Sequence, residues 1–310
     1  MRFGVALESF TPPGKTPSKE AIVEMARTAE KSGFDSVWAW DHLLLGSRKV
    51  FPVFDSLTLL CHVAAKTSRV KIGTSVLIMT LRNPLVLAKI LSTLQILSDG
   101  RLLLGTATGL YEREFRAVGV DFKRRGKLFE EEFILVKRLL NDSDVNYKSG
   151  SVELEHATIE PRVPQYIPMF IGGYSDEVLE RAGRLSDGWL SYYYRPDDYR
   201  NSWQKVLASA QRHGRNASDL HAIDIVPLSI ASSFDEGDRR ARDFTSRYMD
   251  LPKNTRCTPE SAIKGTPREC VEQIKKFQDA GIQNLIFIPV DYDPAQLELA
   301  SKEILPAFQK

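Results

Sequence analysis

SVWAWDHLLL, residues 36–45, is the stretch from which the fold and the chemistry of this chain are inferred. It opens with a short apolar and aromatic run after a Gly-Phe-Asp turn, which is typical of a strand buried on both faces. An acid and an imidazole, Asp41 and His42, come directly after the run. Because parallel sheets carry their chemistry at the carboxyl ends of the strands, the pair is a candidate for an active site. A salt bridge that ends a strand is the alternative.

Outward from this stretch, strand-like runs alternate with amphipathic, helix-like segments. In chain order, the eight predicted strands are residues 2–8, the apolar run that opens at residue 36, and residues 70–78, 101–105, 169–171, 188–193, 222–231 and 284–290. Eight strand–helix units predict a (β/α)8 TIM barrel, whereas six would favour an open doubly wound sheet. We therefore expect one domain, residues 1–310, with an insertion after the fourth helix, at about 141–168, that carries a short hairpin on the rim.

Composition and charge exclude several classes of protein. The 42 basic and 40 acidic residues leave a net charge of +2, so nothing draws the whole chain to nucleic acid or to a membrane. No window approaches the length of a membrane-spanning helix and no signal peptide is visible, so we expect a cytoplasmic protein. Three scattered cysteines suit a reducing compartment, and the lack of H-x-H, H-E-x-x-H or Cys/His clusters predicts no metal site.

Two glycine-containing segments follow predicted strands. In GGYS, residues 172–175, the glycines let a ligand approach the backbone, and the following helix N-terminus favours an anion such as phosphate. In TATG, residues 106–109, small side chains suit close approach of a flat ring or a phosphate. A plain turn and close packing of the barrel are the respective alternatives. The basic run at 123–127 is interpreted as a solvated surface or as a landing site for an anionic group.

Taken together, these stretches resemble the luciferase-like monooxygenase superfamily, and within it the oxidoreductases that depend on coenzyme F420, a deazaflavin. The resemblance covers nearly the whole chain and rests on the order and spacing of its segments. The matching segments are GFDSVWAWDHLLL (33–45), KIGTSVLIMTLRNPLVLAK (71–89), SDGRLLLGTATG (98–109), EREFRAVGVDFKRRGKLFEE (112–131), IGGYSDEVLERAGRLSDGWL (171–190) and GTPRECVEQIKKFQDAG (265–281). It implies a bacterial-luciferase-like TIM barrel with a flavin-type ring across the strand ends.

The resemblance also implies which residues hold the cofactor. The ring would pack on a bulge in the third strand, where the bond between Ser75 and Val76 matches a non-prolyl cis peptide of the family. The cofactor phosphate would meet the two glycine-containing segments, at Thr108, Gly109, Gly172, Gly173 and Ser175.

Asp41 and His42 fall on the Asp-His pair of the deazaflavin enzymes. There the Asp contacts the cofactor ring, and the His lies by the substrate as an acid or base or as a stabiliser of the reacting oxygen. The chain departs from some relatives at Leu110, where they carry a proton-donating glutamate. Glu112 is a weaker candidate for a substrate contact, and Glu114 has a structural interpretation.

The resulting hypothesis is a cytoplasmic oxidoreductase that moves a hydride between a deazaflavin and a small organic substrate. Substrate would enter over rim loops that include Glu8 and Tyr193. The main alternative is a monooxygenase that uses reduced FMN and O2; a barrel hydrolase or isomerase without a redox cofactor and a non-catalytic flavin-binding protein are further alternatives. The helices at 54–66 and 85–97 carry more apolar surface than one sheet face requires, and the resemblance implies that they form a homodimer.

Overall fold

The computed structural model describes residues 1–46, 49–149, 152–248 and 258–308. Its strands, in chain order, are β1 (Arg2–Ala6), β2 (Ser36–Ala39), β3 (Lys71–Ile78), β4 (Leu102–Ala107), β5 (Val145–Ser149), β6 (Val152–Ala157), β7 (Met169–Gly172), β8 (Gly188–Tyr192), β9 (His221–Ile230), β10 (Ile263–Gly265) and β11 (Asn284–Pro289).

Eight of these strands form a closed parallel barrel, which confirms the predicted (β/α)8 fold. Neighbouring strands pair in the order β1-β2-β3-β4-β7-β8-β9-β11, and the pairing of β11 with β1 closes the ring. Strand β2 is buried along its whole length, as its apolar run predicts. The active-site candidates at the ends of these strands therefore share one rim of the barrel.

Helices follow the strands in the alternation that the sequence predicts. They are α1 (Lys19–Lys31), α2 (Ser56–Ala64), α3 (Pro84–Leu97), α4 (Glu112–Ala117), α5 (Arg125–Asn141), α6 (Asp176–Leu185), α7 (Pro196–Arg212), α8 (Phe234–Tyr248), α9 (Pro267–Asp279) and α10 (Pro294–Glu303). The capping box that the sequence predicts before α9 is present, with the Thr266 side chain accepting the Glu269 N–H and the Glu269 side chain accepting the Thr266 N–H.

The continuous helical region predicted at 112–140 is interrupted. Gly119 adopts a φ of +75°, outside the right-handed helical region, so α4 ends and α5 begins only at Arg125. The last helix, predicted to run to residue 308, ends earlier because Pro306 cannot continue it. Position 249, the predicted end of α8, lies outside the described residues.

Two elements lie beside the barrel. The antiparallel hairpin of β5 and β6 falls within the predicted insertion at 141–168. Strand β10 pairs with β9 alone and was missed from the sequence, because three residues are too few to show a period.

Candidate active site

A cavity of about 610 Å³ lies at the carboxyl ends of the barrel strands. It brings together every residue that the sequence assigned to the site except Glu8 and Glu112. Those lining residues are Asp41, His42, Ser75, Val76, Thr108, Gly109, Gly172, Gly173, Ser175 and Tyr193. Glu112 instead has an exposed side chain, paired with Arg116 at 3.8 Å, and it does not line the cavity.

A bulge in β3 forms one wall of the cavity. The register between β3 and β4 shifts between Thr74 and Leu77, and the Ser75–Val76 peptide bond inside this bulge is cis, as the resemblance implies. Gly172 lies against the bulge, because a Cβ atom there would approach the Val76 Cγ1 atom to 2.9 Å. A glycine is therefore required for β7 to come this close to Val76.

The Asp41 carboxylate is fully engaged by the protein. Arg82 donates to both of its oxygens, from Nη1 to Oδ2 at 2.9 Å and from Nη2 to Oδ1 at 2.8 Å. The Ser56 hydroxyl donates to Oδ1 at 2.8 Å, and the Ile78 N–H donates to Oδ2 at 3.0 Å. These four bonds match the lone pairs of an ionised carboxylate, so Asp41 joins the loop after β2 to the end of β3 and the start of α2.

Arg82 lies between two carboxylates. It also donates to Asp55 Oδ2 at 2.9 Å, and Asp55 caps α2 by accepting the Thr58 N–H. Burial lowers the pKa of Arg82, but the charges and hydrogen bonds of Asp41 and Asp55 outweigh burial and leave that pKa above its usual value. The guanidinium is thus a permanent charge that holds Asp41, a lining residue of the cavity, in place.

His42 is held by Glu114, a residue of α4. The Nδ1 atom of His42 lies 3.0 Å from Glu114 Oε2, while Oε1 of the same carboxylate accepts the N–H groups of Leu43 and Leu44 at 2.7 and 2.9 Å. The imidazole is also tilted against the Tyr111 ring, with ring centroids 5.2 Å apart. With Nδ1 engaged by a carboxylate, Nε2 is the nitrogen that remains for a ligand.

Glu114 is fully buried and ionised. Burial raises its pKa, but the hydrogen bond and charge of His42, together with the Leu43 and Leu44 N–H groups, leave the pKa below its usual value. The pair of a carboxylate and an imidazole can fix the ring orientation and stabilise a proton on Nε2.

The glycine-containing turn before α6 forms another part of the cavity. Gly173 adopts a φ of +134°, and its carbonyl accepts a hydrogen bond from the Trp189 indole at 2.9 Å, which fixes the turn. Ser175 caps α6 by accepting the Val178 N–H. Ser175 lines the cavity, so the N-terminus of α6 lies at the place where the sequence predicts an anion site.

Arg125 is the only lysine or arginine among the described residues that line the cavity. Its guanidinium stacks on the Phe122 ring at 3.8 Å and donates to the Phe122 carbonyl at 2.9 Å. Its Nε atom is buried and has no hydrogen-bond partner in the described part of the chain. The next residue, Gly126, lies near the Arg181 side chain of α6, and Arg125 lines the cavity together with the turn at 172–175.

Aromatic side chains form the opposite part of the lining. Phe10 packs edge-on against Trp40, Phe51 and Tyr248, with ring centroids 5.9, 6.2 and 5.8 Å apart. The Tyr248 hydroxyl donates to the Glu8 carboxylate. Burial, with the hydrogen bond to Glu8 adding to it, raises the pKa of Tyr248, so the phenol stays neutral. Glu8 is therefore not a lining residue of the cavity, but it binds Tyr248, which is one.

Sequence reasoning missed three contributors to the site, Glu114, Arg125 and Arg82. Arg125 belongs to the basic run at 123–127, for which an anion landing site was one of two interpretations. No local signal marks Arg82 or Glu114, since their partners lie 41 and 72 positions away in the chain.

The described part of the chain offers neither a metal site nor a membrane span. Within them, no group of three or more His, Cys, Asp or Glu side chains is arranged to hold a metal ion. Their helices are too short or too polar to cross a membrane.

Comparison with known proteins places the chain in a family. A family model described as luciferase-like monooxygenase matches residues 1–264. An F420-dependent glucose-6-phosphate dehydrogenase of Amycolatopsis mediterranei (strain U-32) is 30% identical over 316 residues, which cover 93% of this chain and 94% of that protein. A protein of the same name from Kineococcus radiotolerans is 30% identical over 335 residues, covering 99% of this chain and 96% of its own.

Solved structures show the same fold at lower identity. The monooxygenase RslO1 from Streptomyces bottropensis superposes with a TM-score of 0.85 at 21% identity, over 100% of both chains. The coenzyme F420-dependent tetrahydromethanopterin reductase from Methanopyrus kandleri superposes with a TM-score of 0.82 at 21% identity, over 99% of both chains. Since the family model matches most of the chain, and two relatives match it at 30% identity over nearly its whole length, this chain belongs to the luciferase-like monooxygenase family.

Proposed function

We propose that this enzyme transfers a hydride between coenzyme F420 and a small organic substrate. One observation carries the proposal: a single cavity contains both the His42 imidazole, anchored by Glu114, and the β3 bulge at Ser75–Val76. The names of the relatives that are 30% identical support a deazaflavin as the cofactor.

The residues present fit a flat ring with an anionic tail. Gly172 leaves the space that lets Val76 reach the cavity, and a Cβ atom at Gly109 would collide with Phe115 and Ile78. The backbone thus packs closely at both positions, and together with Ser75 and Thr108 these glycines line the cavity with backbone and small side chains. The Arg125 guanidinium and the N-terminus of α6 would then neutralise the phosphate of the tail.

Within this arrangement the chain's own groups have distinct tasks. A bound deazaflavin supplies a carbon that accepts or releases a hydride with its two electrons. His42 Nε2 would take the proton from the substrate oxygen or return it, because Nδ1 is bonded to Glu114. Asp41, with all of its lone pairs occupied, would keep the loop under the ring in place, and Tyr193 would contact the substrate.

Cofactor titration tests this proposal. Purified protein is titrated with coenzyme F420 and, separately, with FMN, and binding is followed by the absorption and fluorescence of each cofactor. We expect saturable binding of F420 and much weaker binding of FMN. Tight binding of FMN without binding of F420 would overturn the proposal in favour of a flavin monooxygenase. Binding of neither would support a barrel enzyme without a redox cofactor.

We also propose a homodimer that uses α3. Val86, Ile90 and Leu97 lie on one stripe of α3 and are 56%, 38% and 65% exposed, which is unusual for aliphatic side chains that recur along one helix face. Helix α2 leaves no large apolar side chain exposed, so α3 would supply most of the apolar contact.

Light scattering at micromolar concentration tests the dimer. We expect twice the chain mass for the unmodified protein and the mass of one chain for Ile90→Glu. Phe234→Glu, at an exposed position of α8, is the control and should remain dimeric. A mass of one chain for the unmodified protein would contradict the proposed dimer.

We propose in addition that the protein is cytoplasmic. The two described cysteines, Cys61 and Cys270, are free thiols, as is usual in a reducing compartment.

A further inference from the structure

A second cavity, of about 390 Å³, lies between the loop from β3 to α3, the connection from α4 to α5, helix α5 and the β5–β6 hairpin. It shares no lining residue with the active-site cavity, and none of the three α3 side chains proposed for the dimer lines it. Its apolar lining side chains include Leu81, Val120, Leu128 and Leu135. The cavity is thus separate from the proposed cofactor site, and its volume suits a small organic ligand.

Two buried polar atoms in this cavity lack a partner. Glu132 is 9% exposed and Thr80 is 1% exposed, and both residues line the cavity. Glu132 Oε2 and Thr80 Oγ1 have no hydrogen-bond partner in the described part of the chain. The 3₁₀ turn Met79–Leu81, which contains Thr80, packs against α5, which contains Glu132. An unpaired buried polar atom is unfavourable, so a ligand that pairs with both atoms would be stabilised here.

The charge that acts on Glu132 is negative. Burial raises the pKa of Glu132 from 4.5 to about 8, and the charge of Glu131 adds to this effect. Neither of the two arginines that line the cavity, Arg82 and Arg124, lowers this pKa. Arg82 is already paired with Asp41 and with a second carboxylate.

The other charged groups of the lining do not change this balance. Glu131 accepts the Ser149 hydroxyl at 3.3 Å and lies 3.8 Å from Lys127 Nζ, and Asp121 adds a further carboxylate. Residues 150 and 151 lie outside the described part of the hairpin, but they are Gly and Ser and carry no charge. An anion in this cavity would meet an uncompensated carboxyl group, whereas a cation would pair with it.

A primary ammonium group fits the two unpaired atoms. It carries a positive charge and three N–H donors, so it can donate to an ionised Glu132 and to the Thr80 hydroxyl oxygen at once. The aliphatic side chains of the lining would bury an apolar body attached to it.

We propose that this cavity binds a small organic amine as its ammonium ion, with the charged group at Glu132 and Thr80 and the apolar body against the aliphatic lining. This inference goes beyond the proposed function and does not depend on it. No covalent bond of the ligand forms or breaks. Binding ionises Glu132, and the proton of its carboxyl group leaves to the solvent.

Two probes of similar shape test the charge of the ligand, benzylammonium and benzamide. Isothermal titration calorimetry at pH 7 on the unmodified full chain compares them. We expect saturable binding of benzylammonium and binding of benzamide that is about tenfold weaker or more, because the neutral amide leaves the negative charge of the site unpaired. Equal or tighter binding of benzamide, or no saturable heat with benzylammonium, would overturn the proposal.

Proton release gives a second readout of the same titration. Because Glu132 is protonated at pH 7 in the empty cavity, benzylammonium should release about one proton, measured by repeating the titration in buffers with different heats of ionisation. Its Kd should fall about tenfold per pH unit from pH 6 toward about 8 and then level off, since Glu132 is ionised beforehand above that pH. A Kd independent of pH, without proton release, would contradict the pairing with Glu132.

Variants assign the binding to these residues. Glu132→Gln should raise the Kd for benzylammonium about 10- to 100-fold and abolish proton release, and Thr80→Val should raise the Kd about threefold to tenfold. Glu112→Gln is the matched control, because this exposed carboxylate lines neither cavity, and it should change neither readout. Unchanged binding by Glu132→Gln would overturn the proposal. Since the probe comparison and the proton release use the unmodified protein, the inference stays testable even if a variant does not fold.

Discussion

Glu114 Oε2 lies 3.0 Å from His42 Nδ1, although the two residues are 72 positions apart in the chain. The same carboxylate accepts the N–H groups of Leu43 and Leu44, so it fixes both the imidazole and the backbone that follows it. This contact joins α4 to the end of β2. It also decides which ring nitrogen is left for the substrate, because a carboxylate at Nδ1 favours a proton there and leaves Nε2 as the acceptor.

Replacing either member of this pair should reduce turnover more than binding. His42→Ala should lower kcat about 10²- to 10⁴-fold, the usual contribution of a general acid or base. Glu114→Gln keeps the shape but loses the charge that stabilises the imidazolium, so we expect a smaller loss of about 10- to 100-fold. Steady-state kinetics measures both, with the Kd for F420 determined in parallel and expected to be unchanged.

A double variant checks that Glu114 acts through His42. Residues that work as a unit show non-additive losses, so His42→Ala with Glu114→Gln should be no slower than His42→Ala alone. Fully additive losses would contradict the assignment. A Kd for F420 that rises in step with the loss of kcat would instead make Glu114 a structural support of the cofactor pocket.

The bidentate pair of Asp41 and Arg82 should contribute mainly to stability. Asp41→Ala leaves a nearly buried guanidinium without its main partner, and breaking a buried ion pair in this way costs about 3–5 kcal/mol. Urea unfolding followed by circular dichroism should show a lower midpoint with an unchanged slope. An unchanged free energy of unfolding with a weaker affinity for F420 would show that Asp41 serves the cofactor instead.

Asp55→Ala is the matched control for this measurement. Asp55 binds the same guanidinium, at 2.9 Å, but its side chain is 44% exposed. An exposed ion pair contributes about 0–1 kcal/mol, and loss of the N-cap of α2 adds about 1 kcal/mol. We therefore expect a clearly smaller loss than for Asp41→Ala. Equal losses would mean that burial does not distinguish the two carboxylates.

How much of the fold and the site the sequence predicts depends on how far apart in the chain the interacting residues lie. Alternating apolar runs determine the barrel, and the barrel alone determines which residues meet at the strand ends; this is why Asp41, His42, Val76 and Gly172 could be identified together. The cis bond at Ser75–Val76 came from the family resemblance, since no local pattern of side chains specifies it.

The contacts that tune the site could not be predicted in the same way. Glu114 and Arg82 act across long separations in the chain, and their partners depend on how α4 and the start of α3 pack on the rim. Glu112 was preferred to Glu114 as a substrate contact, yet the helical turn directs Glu112 to solvent and Glu114 inward. Residues two positions apart lie on nearly opposite sides of a helix, and the sequence of α4 is too short to show which side is buried.

Glu132 should make stability depend on pH in the neutral range. Burial, with the Glu131 charge adding to it, raises the pKa of Glu132 from 4.5 to about 8. The folded protein thus keeps a proton that the unfolded chain releases, so this carboxyl favours folding below about pH 4.5 and its contribution is lost as pH rises toward about 8.

Glu132→Gln removes that titration. Thermal unfolding of both proteins between pH 4.5 and 9 should show a difference in Tm that grows with pH in favour of the variant, and that levels off above about pH 8. Glu131→Gln is the comparison variant: it removes only the smaller cause of the raised pKa of Glu132, so its profile should keep most of the loss of Tm with rising pH. Parallel profiles for Glu132→Gln and the unmodified protein would contradict the assignment.

Arg125 should control affinity for the anionic tail of the cofactor. Arg125→Gln should raise the Kd for F420 about 10- to 100-fold, since a hydrogen bond to a charged group contributes about 1.5–3 kcal/mol. It should also weaken the dependence of Kd on salt, because one screened attraction is lost. Arg124→Gln is the matched control. Arg124 precedes Arg125 in the same basic run but lines a different cavity, so this variant should leave the Kd for F420 within about twofold.

Fluorescence titration at two salt concentrations measures both effects, the change in Kd and the change in its dependence on salt. Equal weakening by the two variants would mean that the run attracts the cofactor only by its general charge, whereas loss confined to Arg125→Gln would assign the contact to the one guanidinium that the described residues bring to the active-site cavity.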